Sequence, residues 1–147
     1  MRLIPVYPPN EDEGCVAACR AAMRDAGCKV RGVLSCNPQN PRGLVDSDTK
    51  ISSLLRFCEE EDLHFISDEV YALTTFGVVG SDSSSDATMP PVTTNNHSFV
   101  SAANIDLQAL RVNPARVHLL HSTSKDLGSS GLRMVSLSAR LFLQHTD

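Results

Sequence analysis

The chain has 147 residues, 20% of them charged, and a net charge of −4. This length suits about one domain, and an acidic balance without a Lys/Arg-rich run excludes electrostatic binding to nucleic acid or to an anionic membrane surface. No apolar run approaches the ~20 residues that span a bilayer, and the N-terminus has no signal-peptide core, so we expect a cytoplasmic protein.

The first part of the chain predicts a helix, a strand and a loop. Residues 11–27 begin with acidic side chains, continue with an alanine-rich body and end at Gly27, as a helix would. Residues 30–36 form a short apolar stretch that suits a buried parallel strand. The block Asn-Pro-Gln-Asn-Pro-Arg-Gly at residues 37–43 forbids regular structure, so a loop follows the strand.

The next segment predicts a second helix and a second strand. Asp48 or Thr49 can cap a helix that continues to about Glu61. Its apolar residues have helical spacing and should face the core: Ile51, Leu54, Leu55 and Cys58. Residues 63–67 then form a second buried strand, and Asp68 stands where this strand ends.

The rest of the chain predicts a polar loop, a short helix and a third strand. Residues 77–98 are rich in serine and proline, which favours a flexible surface loop. Residues 105–110 suit a short helix, and residues 117–121 a third strand. Alternating strands and helices predict an α/β fold, a mostly parallel sheet with flanking helices. Ligands of such sheets bind at the carboxyl ends of the strands.

A lysine follows the third predicted strand in the run His-Ser-Thr-Ser-Lys-Asp-Leu-Gly over residues 121–128. A lysine amine forms a reversible imine with an aldehyde cofactor and can later act as a base. Lys125 is placed for this role, because Lys29 precedes a strand and Lys50 lies in the first turn of a helix. An isolated lysine is more often a solvated surface charge, but hydroxyl and guanidinium groups surround this one.

Those neighbours suit a phosphate. Ser122, Ser124 and Arg133 offer two hydroxyls and a fixed cation, although a serine- and glycine-rich loop without function has the same composition. Lysine and phosphate ligands together indicate pyridoxal 5′-phosphate as the cofactor.

The remaining contacts of such a cofactor also have candidates at strand ends. Asp68 could keep its ring nitrogen protonated, while Asn40 and Tyr71 could donate hydrogen bonds to its phenolic oxygen. The alternative for the Asp-Glu pair at residues 68–69 is a solvated turn.

The cysteines give weaker information. Among the five, Cys15 and Cys19 lie one helical turn apart and are the best candidates for metal ligands. Reduced, partly buried thiols of a cytosolic fold explain them better, so we predict no metal site.

Taken together, these blocks resemble the class I/II aminotransferases, which are fold type I pyridoxal phosphate enzymes. The pattern Asn-Pro-x-Asn-Pro-x-Gly is the most specific of them, and the branch with 1-aminocyclopropane-1-carboxylate synthase is the most similar. The resemblance covers residues 1–134, a partial large domain, while residues 135–147 look like a divergent tail. It implies an amino-acid substrate, homodimers among full-length relatives, and the site roles given above, with Ser124 the least certain phosphate ligand.

Two functions remain open from the sequence. The first is an enzyme of amino-acid metabolism that performs transamination or the elimination that closes a cyclopropane ring. The second is a truncated, non-catalytic remnant that at most binds the cofactor or a partner chain. The retained contact residues favour the first, whereas the absence of the family's glycine-containing phosphate loop and C-terminal substrate-binding arginine favours the second. Whether this chain alone is catalytic is therefore left undecided.

Overall fold

The computed structural model of the chain describes residues 2–8, 14–75 and 98–139. The polar loop predicted at 77–98 lies outside these residues except for its last position, as do the acidic residues predicted to begin the first helix. The helices are α1 (Cys15–Arg24), α2 (Asp48–Glu60), α3 (Leu107–Leu110) and α4 (Thr123–Asp126); the strands are β1 (Gly32–Cys36), β2 (His64–Asp68), β3 (Val117–Ser122) and β4 (Val135–Ala139). Short 3₁₀ helices lie at Ala72–Thr74, Ala102–Asn104, Pro114–Arg116 and Ser130–Leu132.

The strands form one sheet in the order β1-β2-β3-β4. The first three are parallel and β4 is antiparallel to β3, so the prediction of a mostly parallel α/β sheet is confirmed. Cys36 lies opposite Asp68, and Asp68 lies opposite Leu120. The carboxyl ends of the three parallel strands are therefore level, and the segments that follow them leave from one edge of the sheet.

Helix α2 begins one residue earlier than the predicted caps allow. Ser47 is its N-cap, and the Ser47 hydroxyl accepts a hydrogen bond from the Lys50 amide at 3.1 Å. The prediction of Asp48 or Thr49 as the cap was wrong, because both residues already have helical backbone. The predicted apolar face is confirmed as buried core: Ile51, Leu54, Leu55 and Cys58.

One face of the sheet packs against this helix layer. Phe65, Val117 and Leu107 are almost completely buried together with the α2 face. Burial of this apolar surface is the main term that stabilises the fold, at about 25 cal/mol per Å² removed from water.

The other face of the sheet is largely exposed to solvent within the described part of the chain. Leu34 of β1 is 52% exposed and Leu137 of β4 is 66% exposed. Burial in β2 alternates, with Phe65 buried and His64 exposed. The predicted strands were therefore correct in place, but the burial predicted for residues 30–36 was wrong at Leu34, because the described helices cover only one face of the sheet.

Two helix boundaries also differ from the predictions. Helix α1 ends at Arg24, with Asp25 as its C-cap, and Gly27 follows in the left-handed region at φ 63°. Helix α3 starts at Leu107 because the Asp106 carboxylate accepts a hydrogen bond from the Ala109 amide at 3.0 Å. None of the helices in the described ranges has the length and apolar character required to cross a membrane.

Candidate cofactor site

The segments that follow β1, β2 and β3 are held side by side by backbone hydrogen bonds. The Asn37 amide donates to the Asp68 carbonyl at 2.9 Å, and the Glu69 amide donates to the Leu120 carbonyl at 2.9 Å. These bonds continue the parallel ladder one residue beyond the strands. The loop, turn and short helix that carry the predicted site residues consequently start from adjacent points.

Three of the predicted residues meet at this edge. The Asn40 side-chain amide donates a hydrogen bond to the Tyr71 hydroxyl at 3.1 Å. The Lys125 ammonium lies 5.8 Å from the centroid of the Tyr71 ring, a cation–π distance. Each residue comes from a different segment, so the fold brings together an amide, a phenol and an amine that are far apart in sequence.

Lys125 owes its position to α4, the single helical turn after β3. The hydroxyl of Ser122 caps this turn by accepting a hydrogen bond from the Ser124 amide at 3.1 Å. Lys125 is exposed, whereas Lys50 is buried and forms an ion pair with Asp46 at 2.7 Å. Lys29 is exposed but precedes β1, at the opposite edge of the sheet. Lys125 is thus the lysine whose amine is available at the site edge.

The predicted phosphate ligands line one small cavity of about 230 Å³. Its lining residues are Val70, Ser122, Ser124, Lys125, Ser130, Arg133 and Val135. Ser130 was not predicted, although it lies in the same serine- and glycine-rich run as the others. A larger cavity of about 370 Å³ shares Ser122 and Val135 with it. The smaller cavity is the better phosphate site, because Lys125 and Arg133 line it and no lysine or arginine lines the larger one.

The hydroxyls around this cavity are not equivalent. Ser122 uses its only O–H to donate to the Met134 carbonyl at 3.1 Å. The Arg133 guanidinium donates to the Ser130 carbonyl at 3.3 Å, but it has five N–H donors in total. Ser122 therefore has its donor engaged within the protein, while Arg133 has donors to spare.

Asp68 lies at the same edge but apart from this cluster. It is the last residue of β2 and is half-buried, and its carboxylate accepts a hydrogen bond from the Val70 amide at 3.4 Å. Because Asp68 is opposite Leu120 and side chains alternate along a strand, Asp68 and Ser122 project from the same face of the sheet. In the described structure the Asp68 carboxylate makes no hydrogen bond to Asn40, Tyr71 or Lys125.

Glu69, which the sequence suggested only as a turn residue, is completely buried. Its carboxylate accepts hydrogen bonds from the Ser101 hydroxyl at 2.6 Å and the Ala102 amide at 2.9 Å, and the His121 ring nitrogen lies at 3.6 Å. It thus ties the turn after β2 to a segment some thirty residues further along the chain. Nothing in the local sequence distinguishes such a carboxylate from a solvated one.

The buried thiols of Cys19 and Cys58 are unreactive because of their surroundings. A hydrogen bond with Cys15, followed by burial, raises the pKa of Cys19, and burial raises the pKa of Cys58 to about 12. The described residues contain no group of three histidine, cysteine or acidic side chains arranged to hold a metal ion.

The donor set fits pyridoxal phosphate. The edge offers an exposed amine, an amide–phenol pair beside it, a carboxylate on the adjacent strand, and a cavity lined by hydroxyls and a guanidinium. These groups match, in kind, the aldehyde, ring oxygen, ring nitrogen and phosphate of that molecule.

Comparison with known families decides the relationship: the class I and II aminotransferases match residues 1–140. The chain belongs to this family. It is 40% identical over 119 residues to the "Probable aminotransferase gliI" of Aspergillus fumigatus, covering 81% of this chain and 23% of that protein. It is 31% identical over 139 residues to 1-aminocyclopropane-1-carboxylate synthase 6 of Arabidopsis thaliana, covering 91% of this chain and 24% of that one.

Solved aminotransferases share the fold. The aromatic aminotransferase of Pyrococcus horikoshii superposes with a TM-score of 0.63 at 23% identity, over 93% of this chain and 30% of the other. The predicted resemblance to this family is confirmed, and so is the partial character of its fold. The chain spans about a quarter of the length of the curated relatives that it matches.

Proposed function

We propose that this chain supplies the cofactor-binding edge of a pyridoxal phosphate-dependent aminotransferase-like enzyme of amino-acid metabolism. The observation that carries the proposal is the meeting of Asn40, Tyr71 and Lys125, which come from three separate segments. Transamination and an elimination of the 1-aminocyclopropane-1-carboxylate synthase type both begin by removing the α-proton of an amino acid. The proposal therefore covers both reactions.

Lys125 is the residue proposed to act on the substrate. Its exposed amine would hold the cofactor covalently and, once released by the substrate's amino group, would move the α-proton. Bound pyridoxal phosphate supplies the electron-withdrawing ring that makes this proton acidic. The contact with Tyr71 keeps the Lys125 side chain directed to the site.

The other site residues would bind the cofactor and orient its ring. Asn40 and Tyr71 would bind the ring oxygen together, since their existing hydrogen bond already places both polar groups at one point. Asp68 would hold a proton on the ring nitrogen, which requires the cofactor to lie over the sheet face that Asp68 shares with Ser122. That location is consistent with the cavity between Ser122 and Arg133.

For the phosphate, we assign the main donors to Ser124 and Arg133. Ser122 already donates to the Met134 carbonyl, so it would have to break that bond to serve an acceptor-only phosphate. Ser122 would then act chiefly by capping α4 and shaping the cavity.

A cytoplasmic location and homodimeric assembly of the complete protein belong to the same proposal. Cys19, Cys28, Cys36 and Cys58 are free thiols, two of them buried, which suits a reducing compartment. Sedimentation of a full-length protein tests the assembly.

The test is chemical trapping on the chain. Pyridoxal phosphate is added, reduced with borohydride, and the modified peptide is located by mass spectrometry. We expect the pyridoxyl group on Lys125 and its loss in Lys125→Ala, with Lys29→Ala as the matched control that keeps it. Modification of Lys29 or Lys50 instead would contradict the proposal.

A second measurement separates an enzyme from a non-catalytic remnant. The loaded protein is incubated with a panel of amino acids in deuterated water, and loss of the α-proton signal is followed by NMR. Exchange above the rate with free lysine, absent in Lys125→Ala, indicates catalysis. Trapping on Lys125 without exchange indicates a remnant that binds the cofactor only.

A further inference from the structure

We propose that the buried ion pair between Lys50 and Asp46 is a positioning device for Asn40. It fixes the loop after β1 so that the Asn40 amide reaches Tyr71. The inference rests on the proposed function only for the contact of Asn40 with the cofactor's ring oxygen. The fixing of the loop by the ion pair does not depend on any ligand.

The Asp46 carboxylate is the centre of this arrangement. The Lys50 ammonium and the Gln39 side-chain amide both donate to its Oδ1 atom at 2.7 Å, and the Ser35 hydroxyl donates to Oδ2 at 3.3 Å. The charged side chains of Lys50 and Asp46 are only 7% and 4% exposed. One buried carboxylate thus joins the strand before the loop, the loop itself and the helix after it.

The loop is also closed by its own backbone, and Gln39 is the residue at which these bonds converge. The Gln39 amide donates to the Leu44 carbonyl at 2.8 Å, and its carbonyl accepts from the Gly43 amide at 2.7 Å. The Asp46 amide donates to the Asn37 side chain at 2.9 Å. Gln39 is therefore held through its backbone and its side chain, and Asn40 is the next residue along the chain.

The pairing of the two charges matters because both side chains are buried. An unpaired buried carboxylate must regain water or a proton, and either change weakens or displaces the acceptor that Gln39 uses. A buried ion pair often adds little stability over an apolar pair of the same size, so its value here is in fixing one loop geometry. The consequence is carried to Asn40, whose side chain hydrogen-bonds to Tyr71 and, among the described contacts, to neither charged group.

The first test uses the chain without cofactor. Hydrogen exchange of the Gln39, Gly43 and Asp46 amides is compared in wild type, Lys50→Met and the control Lys29→Met, which removes an exposed lysine. We expect exchange of these amides to be at least about tenfold faster in Lys50→Met and unchanged in Lys29→Met, while Leu55 in α2 stays protected. Wild-type exchange in Lys50→Met would overturn the proposal.

If Lys50→Met does not fold, the double variant Asp46→Asn with Lys50→Met replaces it. This pair leaves no uncompensated charge in the interior, so folding is expected to survive. The loop amides should still exchange faster than in wild type. Equal exchange in this neutral pair would show that the charges do not set the loop.

The second test asks whether the effect acts through Asn40. The pH midpoint of the bound pyridoxal phosphate absorbance is measured in wild type, Lys50→Met, Asn40→Ala and the double variant. Lys50→Met should shift the midpoint in the direction of Asn40→Ala, and the double variant should shift no further than Asn40→Ala alone. Additive shifts, or a shift in Asn40→Ala without one in Lys50→Met, would overturn the positioning role. Absence of any shift in Asn40→Ala would contradict the proposed contact of Asn40 with the cofactor ring. The hydrogen-exchange result would still show whether the ion pair fixes the loop.

Discussion

The hydroxyl of Ser122 donates a hydrogen bond to the backbone carbonyl of Met134, twelve residues further along the chain, at 3.1 Å. The same oxygen accepts a hydrogen bond from the Ser124 amide and so begins the turn that carries Lys125. One side chain thereby fastens both the start and the return of the segment that surrounds the candidate phosphate cavity.

This double use predicts different effects for two neighbouring serines. Ser122→Ala should lower the free energy of unfolding by about 1–2 kcal/mol, because it removes an N-cap and a tie between segments. Ser124→Ala should leave stability nearly unchanged and weaken pyridoxal phosphate binding by roughly tenfold or more, as loss of a hydrogen bond to a charged group does. Urea unfolding and absorbance titration measure the two effects. The reverse pattern would show that Ser122 is the phosphate donor.

A pH dependence of stability is expected from the neighbouring His64 and His118. Their ring nitrogens lie 2.8 Å apart, and burial, followed by the charge of His64, lowers the pKa of His118. The unfolded chain therefore binds a proton near pH 6.5 that the folded chain takes up only at lower pH. The stabilising contribution is present above about pH 6.5 and is lost as the pH falls through the lowered folded pKa.

The expected slope is at most that of one proton, about 1.4 kcal/mol per pH unit. Urea unfolding between pH 5 and 8, in roughly half-unit steps chosen around the histidine pKa, measures it. His118→Gln should flatten the dependence, and His64→Gln should flatten it less, since burial of His118 remains. An unchanged slope in His118→Gln would assign the dependence to other groups.

The cysteines should differ in their reaction with a thiol reagent. Cys28 is exposed, whereas Cys58 is 2% exposed and burial raises its pKa to about 12. At mildly alkaline pH Cys28 should react within the first phase, and Cys58 should react only at the rate at which α2 opens. Cys28→Ser should remove the fast phase. Rapid labelling of Cys58 in the native protein, located by peptide mapping, would contradict its burial.

Asp68 is predicted to act on the ring nitrogen rather than as an anchor. Asp68→Asn should keep the pyridoxyl group that borohydride traps on Lys125, because the phosphate ligands remain. Exchange of the amino-acid α-proton should fall by on the order of 100-fold, since the ring is no longer held protonated. Asp48→Asn, at an exposed acid in the first turn of α2, is the matched control. Unchanged exchange in Asp68→Asn would leave Asp68 as a turn residue.

The parts of the structure that could be predicted from the sequence depend on local pattern. Helical spacing of apolar residues placed the buried face of α2, and the proline-rich block fixed the loop that carries Asn40. The burial of Glu69 and Lys50 could not be predicted in this way. Glu69 depends on residues 101–102, and Lys50 is buried in an ion pair with Asp46 of the loop before α2. A charged residue looks solvated until its distant partners are known.

The same limit explains why the burial predicted for residues 30–36 was wrong at Leu34. An apolar stretch such as residues 30–36 identifies a strand, but whether the second face is covered depends on segments elsewhere. Leu34 is apolar and exposed in the described structure. The positions of the candidate site residues were more predictable than the buried contacts around them, because the amine, amide and carboxylate each stand near a strand end.

The strands lie in the sheet in the same order as they occur in the chain. As a nascent chain leaves the ribosome, β2 can add to β1, β3 to β2 and β4 to β3, without any strand being inserted between two that are already paired. Each addition closes a loop to a neighbour already formed, and the entropic cost of closing a loop grows only slowly with its length. The segment with Lys125 is made between the last two additions, so the amine reaches the edge only after the segments with Asn40 and Tyr71 have been synthesised.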